Sequence, residues 1–208
     1  MKLKWNDGDK LSKQWIPALG LSSSDRNRLL SPASWLTDSI IDAAQKLLKE
    51  ISPLPGLESV ACGLTMTFAV QPGEFVQILN TGEGHWVTVS TIGTSHPLVC
   101  VFDSLYSSAG TRLEAQIASL IHTEKPEICL EFMDVPVQAG TYDCGLFAVA
   151  FATALALGKR PEDYHFDQSR MRKHLWQCFE ERKMEMFPYI RQRRSKKTMV
   201  RSTQKVPV

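Results

Sequence analysis

The side-chain types that together activate a thiol stand in one chain order: His85 followed by Trp86, then Asp103, then Gln138-Ala-Gly-Thr-Tyr-Asp-Cys144-Gly145. A thiol attacks a carbonyl carbon as thiolate. It therefore needs an imidazole to take its proton, a carboxylate to orient that imidazole, and an amide donor for the oxyanion. His85 is the candidate base, Asp103 its orienter and Cys144 the nucleophile. Gln138 can offer its side-chain amide across a loop containing Gly140, beside the backbone N–H of Cys144.

The elements around these residues support that reading. Gly145 to Leu157 is apolar almost all round, which predicts a helix buried on every side and beginning at the cysteine. Asp143 is its candidate N-cap, and Gly145 allows close backbone approach. A thiol at a helix N-terminus beside an imidazolium ionises more readily than a free cysteine. Cys100 and Cys129 sit in apolar strand patterns and Cys178 in a late helix, so these read as core or surface thiols, while Cys62 has no imidazole near it in sequence. His174 and Cys178 share a helix face, but two ligands do not make a zinc site.

From Leu64 onward the pattern becomes rich in β-branched and aromatic residues. It predicts about five strands, at Leu64 to Val70, Phe75 to Leu79, His85 to Ile92, Leu98 to Asp103 and Ile128 to Val135. With Gly93-Thr94-Ser95 as a three-residue hairpin loop, Val89 falls opposite Val99, Val87 opposite Val101 and His85 opposite Asp103. Directly opposed Cβ atoms lie ~4.5–5.5 Å apart, within reach of an imidazole–carboxylate hydrogen bond. Leu21 to Leu30, Asp38 to Glu50, Arg112 to Ile121 and Asp167 to Met184 read as helices. Helices at both ends of a mostly antiparallel sheet, with one in its middle, give an α+β domain.

At 208 residues, 43% hydrophobic and 22% charged, the chain suits one globular domain rather than a fibrous or disordered protein. No apolar run is long enough to span a membrane, and the first residues lack the apolar stretch of a secretory signal, so a soluble intracellular protein is expected. Five cysteines without a CxxC pair indicate neither a disulfide framework nor a zinc finger and suit a reducing compartment. The net charge of +2 hides an asymmetry: seven of the 24 basic residues lie among 191–208, where there is no acid, leaving 17 against 22 acids elsewhere. That tail, at +7 on a body near −5, reads as disordered. It is either a solvated tail or a contact for nuclear import, nucleic acid or an acidic partner.

His85-Trp86, Phe102-Asp103-Ser104 and Gln138-x5-Cys144-Gly145-Leu-Phe together resemble the ubiquitin-like-protein-specific cysteine proteases, the SUMO-deconjugating group related to adenovirus proteinase. Leu21-x3-Asp25-x3-Leu29, followed by Trp35-Leu36-Thr37-Asp38-x-Ile40-Ile41, is similar to the stretch that opens that family's catalytic domain, usually with Asn at the place of Thr37. The resemblance runs from about residue 21 to residue 187. It implies a papain-like fold and the same four catalytic residues, His85, Asp103, Gln138 and Cys144. It also implies substrate contacts for Trp35, Asp38 and Trp86, the two tryptophans roofing a narrow tunnel for a Gly-Gly C-terminus, against a packing role for each. Glycine alone lacks a Cβ to clash there.

The expected organisation is an N-terminal extension over 1–20, a catalytic domain over 21–190 and the basic tail over 191–208. The expected function is a cysteine peptidase or isopeptidase cleaving after a Gly-Gly-type C-terminus of SUMO or a related modifier, in the nucleus or cytoplasm, with no metal or cofactor and no membrane. Two rivals are an acyltransferase of the same clan, which would need a cofactor pocket, and an inactive binder of ubiquitin-like proteins. The short runs between Glu50 and Leu64 and between Asp103 and Gln138 leave the substrate's identity open.

Overall fold

In the computed structural model, which describes residues 13–82, 84–95, 97–191 and 200–207, the short strands β1 (Gln14–Ile16) and β2 (Leu21–Ser22) precede helices α1 (Ser23–Leu30) and α2 (Asp38–Ile51). A short helix α3 (Ala61–Thr65) follows, then β3 (Val76–Asn80), β4 (Trp86–Ser90), β5 (Leu98–Phe102), α4 (Thr111–Leu120), β6 (Glu127–Met133) and α5 (Cys144–Ala156). The last elements are β7 (Tyr164–Phe166), α6 (Gln168–Glu181), β8 (Tyr189–Arg191) and β9 (Val200–Pro207).

The central sheet has five strands in the order β3-β4-β5-β6-β9, antiparallel except for the β5–β6 pair, which α4 connects. Alternation along the strands makes two cores. Val87, Val89, Val99 and Val101 face α4, with Leu113, Ile117 and Phe132. Trp86, Cys100 and Phe102 face the other way, against α5, α2 and α6. Every residue of α5 from Cys144 to Leu155 is buried, as its apolar sequence demands, and Thr88 of β4 donates its hydroxyl to the Ala148 carbonyl at 2.7 Å.

Four expectations are corrected. The β4–β5 register places Val89 opposite Val101, Thr88 opposite Phe102 and Ser90 opposite Cys100, two residues from the expected pairing. The connection is wider than a three-residue loop, and inside it the Thr94 hydroxyl lies 2.9 Å from the carbonyls of both Thr91 and Leu98, with one proton to give to either. Leu64 to Val70 is not a strand: α3 ends at Met66 in the left-handed region (φ 53°), and the Ala69 N–H is taken by the Glu58 side chain at 3.1 Å rather than by a neighbouring strand.

The place of that strand is filled from the basic tail. Residues 200–207 form β9, an antiparallel edge strand on β6, with Val206 buried in the α4-side core. Two of the tail's cations, Arg201 and Lys205, lie within ion-pair distance of Asp134 (3.8 Å) and Glu127 (3.0 Å). Charged side chains suit an exposed sheet edge, where they oppose pairing with another chain. Residues 192–199, the rest of the expected disordered segment, lie outside the described residues. At the other end, the boundary at residue 20 falls too late. Gly20, at φ 73°, turns β1 back onto β2, which buries Ile16, and Trp15 packs edge-on against Phe179 of α6 at 6.0 Å.

Candidate active site

β4, β5 and α5 bring three of the predicted residues to one end of the sheet. His85 immediately precedes β4, Asp103 immediately follows β5, and Cys144 is the first residue of α5. His85 Nε2 lies 2.9 Å from Asp103 Oδ1, and both residues are buried. The same oxygen accepts backbone N–H groups from Leu105 at 2.7 Å and Tyr106 at 3.0 Å, so the carboxylate is fixed by its own turn. The Tyr106 ring stands edge-on to the imidazole at 5.0 Å.

With Nε2 committed to Asp103, Nδ1 is the nitrogen left for the thiol. Burial works against the charged imidazolium, but hydrogen bonds to Asp103 and Cys144, and the charges of both, outweigh it and raise the His85 pKa to about 9. Cys144 is buried, with Sγ 3.9 Å from the Gly84 carbonyl, which belongs to the turn leading into His85. Gly145 meets Leu36: a Cβ added there would lie 3.1 Å from the Leu36 Cβ, so any larger residue would make the Leu36 side chain give by a few tenths of an ångström where the helix of Cys144 passes the Trp35–Leu36 segment.

Asp143 precedes α5 but makes no side-chain cap, a departure from its expected role. Its carboxylate is drawn away by stronger partners, accepting from Arg172 Nη2 at 2.6 Å and Gln168 Nε2 at 2.6 Å. The Arg172 guanidinium also donates to the carbonyls of Leu29 (3.0 Å) and Ser34 (2.7 Å), clamping α1, the Trp35 segment and the nucleophile loop together. Arg172 was not foreseen. One arginine on an amphipathic helix carries no signal of such a role.

Gln138 is buried and tied to the residue after the acid: its N–H donates to the Ser104 carbonyl at 3.1 Å and its Oε1 accepts from Ser104 Oγ at 2.7 Å. Its Nε2 donates to the Gly140 carbonyl at 2.9 Å, which leaves a second N–H on that nitrogen. The two tryptophans have different surroundings. Trp35 is 49% exposed, donates to the Thr141 carbonyl at 2.8 Å and packs on Tyr142 with ring centroids 5.5 Å apart. Trp86 is 2% exposed, facing α5, and donates to the Leu36 carbonyl at 3.3 Å. Asp38 is exposed at the start of α2, beside a small hollow shared with Leu64, Asn80 and Arg112.

A cleft of about 380 Å³ borders the dyad, lined by His85, Asp103, Tyr106, Thr81 and Arg112. A larger cavity of about 770 Å³ is lined by Val70 to Phe75, Thr91 and His122 and contains none of the reactive residues. It lies at the opposite end of β4 from His85, so size is no guide to the chemistry here. Among the described residues no group of three or more His, Cys, Asp or Glu side chains could hold a metal ion, and no helix is long and apolar enough to cross a membrane.

The sequence pattern of the Ulp1 protease family, C-terminal catalytic domain, matches residues 75–186, more than half of the chain. The chain belongs to the Ulp1 protease family. Solved structures of that family share the fold. A SUMO protease Ulp1 with its catalytic cysteine oxidised to a sulfinic acid is 17% identical, with a TM-score of 0.59 over 81% of this chain and 87% of its own. The C-terminal Ulp1 protease domain in complex with Smt3, the yeast ortholog of SUMO, is 18% identical, with a TM-score of 0.56 over 76% and 82%. The Xanthomonas campestris effector XopD, bound to ubiquitin, is 16% identical, with a TM-score of 0.53 over 71% and 93%. No curated protein sequence matches the chain.

Proposed function

We propose that this protein is a cysteine peptidase that hydrolyses the bond after a Gly-Gly-type C-terminus of SUMO or a related ubiquitin-like modifier, in deconjugation or precursor processing. The observation that carries the reading is the buried His85–Asp103 pair, 2.9 Å apart, at the end of the sheet where Cys144 opens α5 with its thiol 3.9 Å from the carbonyl of Gly84, the residue before His85. The Cys144 thiolate attacks the scissile carbonyl carbon, and the oxyanion is received by the Cys144 backbone N–H and the free N–H of Gln138. As the C–N bond breaks, His85 gives its proton to the departing amine and a thioester remains. His85 then takes a proton from water, hydroxide adds to the thioester, and the modifier leaves with a free carboxylate. Trp35 walls the channel to Cys144, Trp86 supports it from beneath through Leu36, and Asp38 contacts the modifier's body.

The test is a panel of modifier C-terminal electrophiles incubated with the full chain. Labelling by one of them that disappears in Cys144→Ala supports the reading. Labelling that persists in Cys144→Ala, or a folded protein that no modifier probe labels, removes it.

A further inference from the structure

β9 reaches beyond its own ladder to the loops that carry the acid and the oxyanion candidate. Arg201 Nη2 donates to the Val135 carbonyl at 2.7 Å and Nη1 to the Asp103 carbonyl at 3.4 Å, and its Nε lies 3.8 Å from Asp134 Oδ1. The next residue, Ser202, donates its hydroxyl to the Ser107 carbonyl. Gln204 accepts from the Ala109 N–H at 2.9 Å and donates to Glu114 at 2.6 Å. One strand therefore holds the connection between β5 and α4 at three places, residues 103, 107 and 109, and the first turn of α4 at residue 114.

That connection presents the Asp103 carboxylate to His85 and sets Tyr106 against the imidazole ring. The other arm of Arg201 holds Val135, on the segment that leads to Gln138. A planar guanidinium can serve two carbonyls and a carboxylate at once, which the single ammonium of lysine does not reproduce. β9 also lies outside the 75–186 match to the family.

We propose that Arg201 is a positioning residue of the catalytic apparatus, fixing the Asp103 loop and the Gln138 loop relative to one another, so that the C-terminal strand is a working part of the active site. This rests on His85, Asp103 and Cys144 being the reacting set. Without the guanidinium the Asp103 and Val135 carbonyls lose a donor and the two loops can drift. A displacement of about 1 Å in a catalytic group lowers turnover by roughly 100-fold.

The experiment compares wild type, Arg201→Ala, Arg201→Lys and Lys205→Ala in the full chain, Lys205 being on the same strand but paired with Glu127 away from the site. Each is read by its thermal melt, by kcat and KM on a Gly-Gly peptide ester, and by the pH dependence of Cys144 alkylation with iodoacetamide. Folded Arg201→Ala should lose roughly 10- to 100-fold in kcat with little change in KM. The His85-linked step in its alkylation profile should move to lower pH. Arg201→Lys should show the same changes in smaller degree, and decides the question if Arg201→Ala does not melt cooperatively; Lys205→Ala should match wild type. An unchanged kcat and alkylation step in the folded Arg201 variants, or an equal loss in Lys205→Ala, overturns the proposal. Alkylation needs no substrate, so a wild type inactive on every modifier defeats the functional reading while the alkylation profile still decides the role of Arg201.

Discussion

His85 meets Asp103 on the diagonal of the β4–β5 hairpin, with Nε2 and Oδ1 2.9 Å apart although the ladder sets Asp103 two residues away from the position directly across from His85. A diagonal pair is more widely spaced than an opposed one but within reach of long side chains. The backbone donors of Leu105 and Tyr106 aim the carboxylate along it.

Asp103→Asn keeps an oxygen for those two backbone donors and removes the charge that favours the imidazolium. Turnover on a Gly-Gly ester should fall by roughly 10²- to 10⁴-fold with the fold intact. Near wild-type turnover in a variant with a normal melt would mean that another acid orients His85.

Alkylation should discriminate among the cysteines. Burial, with added repulsion from Glu131 and Glu162, pushes Cys100 up to about 12, and burial pushes Cys178 up to about 11. Iodoacetamide at pH 6 should therefore modify Cys144 first and these two last, as read by peptide mass mapping over time. Modification of Cys100 or Cys178 ahead of Cys144 would contradict the choice of Cys144 as the reactive thiol.

The protonation of His85 links stability to pH. Its pKa in the fold, about 9, lies above the unfolded value of ~6.5, so the stabilisation it brings is complete below pH 6.5 and is lost as pH rises through 9. The wild-type melting temperature should fall between pH 7 and 10 more than that of Asp103→Asn, and kcat/KM should decline with an alkaline limb near 9. Parallel melting curves for the two proteins over that range would show that His85 is not the linked group.

The two tryptophans should separate stability from selectivity. Trp86→Ala empties a core position and should cost ~3–5 kcal/mol. Trp35→Ala removes a half-exposed indole, so its melt should change far less. On the proposal that its indole walls the substrate channel against a Cβ, it should instead lower the ratio of kcat/KM for Gly-Gly over Ala-Gly esters. A folded Trp35→Ala with the wild-type ratio would leave the indole without a role in substrate choice.

The parts of the fold that depend on local pattern were legible in the sequence. α5 announces itself by an apolar surface on all sides. The valines of β4 and β5 share a face under either register, because a shift of two residues preserves side-chain alternation. That is why His85 and Asp103 could be joined from a hairpin register that was itself wrong. β9 was hidden, because the charges that protect a sheet edge look the same in sequence as those of a solvated tail. Asp143 misled for another reason: whether an acid before a helix caps it depends on competing donors, and Arg172 and Gln168 arrive from a helix whose position no local pattern reveals.

Because Arg201 is 98 residues beyond Asp103, the brace on the acid loop is also a matter of time. A ribosome makes the base, the acid and the nucleophile in that order, and all three leave it before the strand that steadies them has been translated. Until β9 docks, β6 carries an unpaired edge and the acid loop keeps its freedom, so a nascent chain with its thiol already in place is an unfinished hydrolase. On the proposal that Arg201 positions the acid loop, competence would arrive with this strand of the sheet, a checkpoint set by chain order.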